Sequence, residues 1–329
     1  MRADFLEVPL EELRLQDETY RSSLGRDPSP LEDSVRKVGL LSPLRLEKTS
    51  RGLRIVSGFL RAEVAACLGL GAVQAQVLEP GPPFQRLLEA SHENLLGRGF
   101  TWAERAWVLD RALRRWEISR SHIMDELLPA LGLPPTGRAL EDHLRVASIP
   151  THLLVALTRN GCSLSNALRL ARLEPKDQEL FVRLLPKVHL GENLLRECLD
   201  LLWEIKMRDG MGLGDILEDP QLVQEMDSSG EDRRQRGEVF RRHLRRVRMP
   251  SLSAMESAFL KAKTRLGLPS EVSVLHSPFF EEVGVTVTFR AKSAEQLTEK
   301  SRRLWEACCE TEAVKALMES TRFLPNSTA

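Results

Sequence analysis

Residues 54–61 read RIVSGFLR. A short apolar run closes on Ser57 and Gly58, and Arg61 follows inside FLRAEVAACLGLG, a stretch with amphipathic helical spacing. A helix that starts just after a glycine presents unpaired backbone N–H groups and the positive end of its dipole. The bare Cα of Gly58 lets a phosphate approach the chain, and Arg61 adds a charge-assisted fork. Taken alone, Gly-x-x-Arg also describes an ordinary strand-to-helix turn with a solvated arginine.

A second chemical signal lies in SRSHIMDELLPALGLPPTGRALEDHLRVASIP, residues 119–150. Two short helical segments flank a break that holds Gly132 and a double proline, the outline of a helix-turn-helix. Thr136 suits the cap of the second helix, which runs through Arg145. Gly137, Arg138, Glu141 and Asp142 are expected outside, and Leu140, Leu144 and Val146 inside. In such a unit the second helix lies in the major groove, where an early exposed arginine pairs with guanine; Arg138 is the candidate. Arg105, Arg111, Arg114, Arg115, Arg120 and His122 precede it and suit phosphate contacts. Glu141 and Asp142 make the reading helix less basic than usual, and a structural helix within a bundle is the plainer alternative.

The elements that must position these residues change style along the chain. Over the first hundred residues SPLEDSVRKVG reads as a helix, with Ser29 as cap, Pro30 in the first turn, Glu32 completing a capping box and Gly39 at the end. LLSPLRLEK, LRIVSG and AVQAQVLE read as strands, and FQRLLEASHENLL returns to helical spacing. From 101 to 207 the pattern is helical throughout, opening on a capping box of Thr101 and Glu104. Residues 208–249 read as a basic linker: DGMGLG and DSSGED are turn-rich, and RRQRGEVFRRHLRRVRMP carries eight arginines. A small α+β domain over 250–329 follows, with paired strands in EVSVLHSP and EVGVTVTFRA and a helix capped by Ser293. The fold class is α+β.

The totals exclude little but bound much. Lys+Arg and Asp+Glu each number 47 in 329 residues, so any nucleic-acid role must rest on local patches. No run approaches the roughly 18 apolar residues of a membrane span. The acidic start MRADFLEVPLEEL is unlike a signal peptide, so the cytoplasm is the expected location, with no membrane partner. Five cysteines without a CxxC pair and dispersed histidines give no metal-ligand spacing.

DSVRKVGLLSPLRLEKTSRGLRIVSGFLRAEVAACLGL resembles the amino-terminal domain of the ParB chromosome- and plasmid-partition family. Ser34, Val35, Gly39, Leu40, Leu41 and Pro43 fit the family's SIxxxGLLQP block, and Ile55, Val56, Gly58 and Arg61 fit its IVAGERRxRA block. Arg21 in TYR, ENLLGR at 93–98, LRVASIP at 144–150 and GCSLSNALRL follow in the family's order, over about residues 5–200.

The resemblance implies a ParB- and sulfiredoxin-like α/β nucleotide-binding domain over 1–100, a helix-turn-helix domain over 101–207 and a carboxy-terminal domain that dimerises. It implies CTP with Mg2+ as ligand and a CTPase activity. Gly39, Leu40, Ser42, Ser57, Gly58, Arg61, Arg98 and Arg21 would border the nucleotide, and Glu93 and Asn94 would serve the metal and hydrolysis. Thr136, Gly137, Arg138, Arg145, Arg120 and His122 would meet double-stranded DNA. It further implies a nucleoid-associated homodimer that acts in DNA segregation or nucleoid organisation, with a ParA-type ATPase as partner.

Phe59, Leu60 and Glu63 depart from the family block by removing two cations and adding a carboxylate, and Arg98 stands one position late. A DNA-binding regulator that lost nucleotide binding is therefore one alternative, and a small-molecule kinase-like enzyme on the same fold is another.

Overall fold

In the computed structural model, which describes residues 5–268 and 271–322, the first strand is β1 (Phe5–Pro9). It is followed by α1 (Ser29–Val38), β2 (Leu44–Thr49), β3 (Gly52–Ser57), α2 (Phe59–Cys67), β4 (Ala72–Leu78) and α3 (Pro83–Gly97). The four strands form one sheet in the order β1-β4-β2-β3. β2 runs parallel to β4, while the β1–β4 and β2–β3 pairs are antiparallel. FLEVP carries little strand signal because it is an edge, with Val8 its only fully buried residue.

Leu44, Leu46, Ile55, Val73 and Ala75 from the sheet meet Phe59, Ala62 and Ala65 of α2 in one core. Phe59 thus belongs to the packing. α1 starts one residue earlier than its sequence suggests: Pro28 holds the cap position, and Asp27 accepts from the Ser29 N–H at 3.0 Å and its hydroxyl at 2.7 Å.

Helices make up the rest of this unit: α4 (Trp102–Arg114), α5 (Arg120–His122), α6 (Leu128–Ala130), α7 (Gly137–Val146), α8 (Thr151–Arg159), α9 (Leu164–Leu170) and α10 (Pro175–Leu184). α11 (Glu192–Asp209) crosses Leu199, where contacts divide the chain into two compact units. A π-helical turn, Ile123–Leu127, joins α5 to α6. Pro129 has no N–H for the bond a regular turn would place there, which fits the wider winding. Leu109, Ile123, Leu127, Leu128, Leu131 and Leu140 form the core that fixes α7 against α4 and the α5–α6 segment.

In the second unit the expected linker over 208–249 is helical. It contains α12 (Leu213–Leu217), α13 (Pro220–Ser228) and α14 (Arg233–Arg248). The turn-rich stretches are joints between helices: Asp215 accepts from the Gly212 N–H at 2.7 Å, and Asp232 caps α14 through the N–H groups of Arg234 and Gln235. Val239, Phe240, His243 and Leu244 give α14 a buried stripe that its arginines mask in the sequence. α15 (Pro250–Arg265), β5 (Val272–His276), β6 (Val285–Phe289), α16 (Ala294–Cys308) and α17 (Thr311–Glu319) complete the unit. β5 and β6 pair antiparallel, and Phe259, Leu266, Val274, Phe280 and Leu317 form a core there. Among the described residues no helix is long and apolar enough to cross a membrane.

Candidate functional site

β3 ends where α2 begins, at Gly58. Its φ is 102°, and a Cβ there would stand 3.1 Å from Leu44 Cγ and 3.3 Å from Arg61 Cζ. Backbone conformation and close approach both call for glycine. The Ala62 N–H returns to the Gly58 carbonyl at 2.9 Å, so the N–H groups of the first α2 residues lack an intrahelical partner.

Arg61 folds back over this turn. Its Nη1 donates to the carbonyls of Pro43 at 2.6 Å and Ser42 at 3.1 Å, and its Nη2 donates to Glu93 Oε1 at 2.8 Å. The structure therefore brings Ser42, Gly58, Arg61 and Glu93 together, from the segment before β2, the β3–α2 turn and α3. Ser57 is buried beside them, opposite Arg45 in the strand register. Leu40 packs on the core, and Gly39 ends α1 with φ of 75°.

The remaining candidates are held elsewhere. Asn94 donates to the Ala90 carbonyl at 2.7 Å and accepts from Arg98 Nε at 2.9 Å. Arg98 also donates to Glu104 Oε1 at 2.8 Å and to Ser22 Oγ at 3.2 Å. Arg21 pairs with Glu63 and Glu18, and its guanidinium lies 5.9 Å from the Phe59 ring centroid. Two residues that depart from the family block thus both engage Arg21. Each of the three expected phosphate cations faces a carboxylate of the protein itself.

Those residues accommodate a phosphate differently from a metal. The glycine turn and its open N–H groups suit a phosphate oxygen. Glu93 Oε2 is buried without a hydrogen-bond partner, which a cation would satisfy, yet its other oxygen is taken by Arg61. Asn94 is turned to Arg98, so the expected Glu93–Asn94 metal pair does not assemble in this arrangement. Among the described residues no group of three or more His, Cys, Asp or Glu side chains is placed to hold a metal ion.

Helix α4 carries contacts that sequence reading did not assign. Glu104 is fully buried; it closes the capping box with Thr101 and accepts from Arg26 and Arg98. Burial alone would raise its pKa, but the hydrogen bond from Arg26 and the Arg98 charge prevail and hold it below the usual glutamate range. Arg105 Nε donates to the Leu131 carbonyl at 2.9 Å, which ties α4 to the turn before α7. Arg111 holds the carbonyls of Glu18, Thr19 and Arg21 while lying 4.3 Å from the Trp107 ring. Burial, helped by the Arg115 charge, lowers its pKa to about 10. The capping motif is the only sequence signal for any of this, because the partners lie far along the chain.

The second site is α7 and its approach. Thr136 Oγ1 accepts from the Ala139 N–H at 3.2 Å and starts the helix as expected. Leu140 and Val146 are buried, and Leu144 packs partly buried on the same core. Arg138, at 92% side-chain exposure, projects from the first turn, 3.7 Å from Asp142. Arg145 is exposed, and Arg120 forms an ion pair with Glu141 across the two helical segments. His122 Nδ1 lies 2.8 Å from Ser119 Oγ. His143 is buried, with Nδ1 2.7 Å from the Ala139 carbonyl, so it supports α7 from inside.

No family model matches the chain. Curated relatives do match it, among them the following two. The probable plasmid-partitioning protein ParB of Thermus thermophilus is 26% identical over 221 residues, which covers 58% of this chain and 72% of that protein. The stage 0 sporulation protein J of Bacillus subtilis is 26% identical over 183 residues, 54% of this chain and 62% of that protein. The match thus spans less than two thirds of the second relative's length. Among solved structures, the truncated ParB of Caulobacter crescentus complexed to the centromeric parS site covers 54% of this chain and 91% of its own, at 18% identity and a TM-score of 0.34. A superposition that loose carries no weight, and the assignment rests on the sequence relatives and the order of the motifs. On those grounds the chain is similar to the ParB partition proteins, as a divergent relative of them.

Proposed function

We propose that this protein binds double-stranded DNA as a homodimer and acts in DNA segregation, with α7 as the reading helix. The observation that carries this reading is the capped start of α7, from which Arg138 projects into solvent one turn ahead of Asp142. Arg120, His122 and Arg145 are exposed on the same unit and suit phosphate contacts. A partition role follows from the relative described as plasmid-partitioning, and a ParA-type ATPase partner follows from the family.

Selection of bound duplexes from a random library, followed by titration at several salt concentrations, tests this. A recovered consensus with a steep salt dependence supports it. Recovery of random sequence by wild type and Arg138→Ala alike would leave α7 as a structural helix.

The nucleotide step has two readings. In the first, a CTP phosphate displaces Glu93 from Arg61 and gates a clamp on DNA; the intact Gly58 turn supports it. In the second, the protein binds DNA without nucleotide, and the three arginine–carboxylate pairs of Arg21, Arg61 and Arg98 favour this one. Calorimetric titration with CTP, ATP and GTP plus magnesium, repeated with Arg61→Ala, separates them. Selective CTP binding that disappears in the variant selects the clamp.

A further inference from the structure

The second unit contains an anion-binding cleft of its own. α14 and α15 enclose a groove of about 480 Å³ lined by Arg241, Arg242, Arg245 and Arg246 on one side and by Ser253 and Ser257 on the other, with Glu238, Glu256 and Leu260 beside them. The arginines follow one face of α14 at a spacing of four, and the serines follow one face of α15. Concave sites of this size accept small ligands, whose volumes fall at about 300–1,000 Å³ of pocket space.

The charges in the groove are partly matched. Glu225 accepts from Arg242 and Arg246, Glu238 from Arg241, and Glu256 from Arg245. The guanidinium donors outnumber these carboxylate contacts. Each guanidinium has five N–H donors, and Arg246 Nε is buried with no partner. No hydrogen bond of the Ser253 or Ser257 hydroxyl is found among the described residues.

The geometry points to a binding site for a small oligophosphate, free or carried on a nucleotide, held by the arginines of α14 and the hydroxyls of α15. An oligophosphate matches the site because it is compact, multiply charged and rich in acceptors that take forked guanidinium bonds. A duplex offers its phosphates along a rod, at one charge per about 1.7 Å of axis, and favours arginines on an open ridge over a cleft with a second wall. This site is separate from the Gly58 turn and does not depend on how α7 is used.

The test is calorimetric titration of the full-length protein with inorganic triphosphate, then with CTP, ATP and a duplex oligonucleotide, at constant ionic strength. The site predicts saturable triphosphate binding that weakens about tenfold in Ser257→Glu and in Arg245→Gln, the scale of one lost charge-assisted hydrogen bond. In an Arg61→Ala background, which removes any phosphate binding at the Gly58 turn, the same saturable binding and the same two losses are expected. Ser257 is exposed, so its variant is expected to fold, and a matching circular dichroism melt checks this. Equal triphosphate and nucleotide affinity would identify the phosphate chain alone as the ligand, while tighter nucleotide binding lost in the same two variants would add base contacts. The proposal is overturned if triphosphate gives no saturable heat, if Arg61→Ala abolishes the binding, or if only the duplex binds and the groove variants weaken it.

Discussion

Glu93 Oε1 lies 2.8 Å from Arg61 Nη2, so the arginine best placed to receive a phosphate at the Gly58 turn is already bound to a carboxylate of α3. The pair is part-buried, at 18% and 33% side-chain exposure, so water screens it less than a surface pair. A phosphate entering the turn must displace Glu93 from Arg61 or share the arginine with it. Removing the Glu93 charge is therefore expected to favour the ligand. Glu93→Gln should bind CTP roughly tenfold more tightly than wild type, the effect of about one charge-assisted hydrogen bond returned to the ligand. Calorimetry on both proteins reads the difference. Absence of binding in both at millimolar nucleotide would support the nucleotide-free reading.

Glu104 is a structural keystone of the same unit, and its effect on stability has a definite sign with pH. Its folded pKa lies below the ordinary value because Arg26 and Arg98 outweigh the cost of burial. A depressed carboxylate pKa contributes stability that is present above the unfolded value and lost as pH falls through the folded one. Glu104→Gln should cost about 3 kcal/mol at neutral pH, because it leaves two arginines facing an uncharged group in a buried site. The gap from wild type should close as pH drops below about 4. Urea unfolding at several pH values checks both parts.

Much of the first unit was legible because its signals are local. Gly58, the Thr101–Glu104 capping box and the Thr136 cap each depend on residues within a turn of one another, and each starts its helix where the sequence places it. Side-chain pairing was not legible. Arg21 meets Glu63 across 42 positions, and Arg26 meets Glu104 across 78, so nothing in either neighbourhood marks the partner. The arginine-rich segment failed for another reason. Its charges dominate the composition, while Val239, Phe240 and Leu244 supply a narrow apolar stripe that alone makes α14 a packed helix.

Arg138 and Arg120 separate base reading from backbone contact. Arg138 is nearly free in solvent at the start of α7, whereas Arg120 is engaged by Glu141. If α7 enters the major groove, Arg138→Ala should weaken binding to the selected site by about 5- to 100-fold while leaving random duplex nearly unaffected. Arg120→Ala should weaken both alike and lower the salt slope by roughly 1. Fluorescence anisotropy over a salt series, with selected and scrambled duplexes, distinguishes the two patterns.

His143 gives α7 a pH dependence from its inner face. Its Nδ1 lies 2.7 Å from the Ala139 carbonyl, which assigns the proton of the neutral ring to that nitrogen, while Nε2 is buried without a hydrogen-bond partner. Burial, reinforced by the Arg105 charge, pushes its pKa below the ordinary histidine value. The unfolded chain then binds a proton near pH 6.5 that the folded chain refuses, so stability is present above that value and falls as pH drops toward the folded pKa. His243, buried in the second unit, is shifted in the same direction for the same reason. Each contributes a slope of up to about 1.4 kcal/mol per pH unit within that window. Three of the five tryptophans, Trp102, Trp107 and Trp116, lie in the first unit, so urea unfolding followed by fluorescence between pH 7.5 and pH 5, compared with His243→Gln, weights His143. His143→Gln should flatten that slope. An unchanged slope would mean that the ring already carries its proton in the folded protein, and that Nε2 has an acceptor.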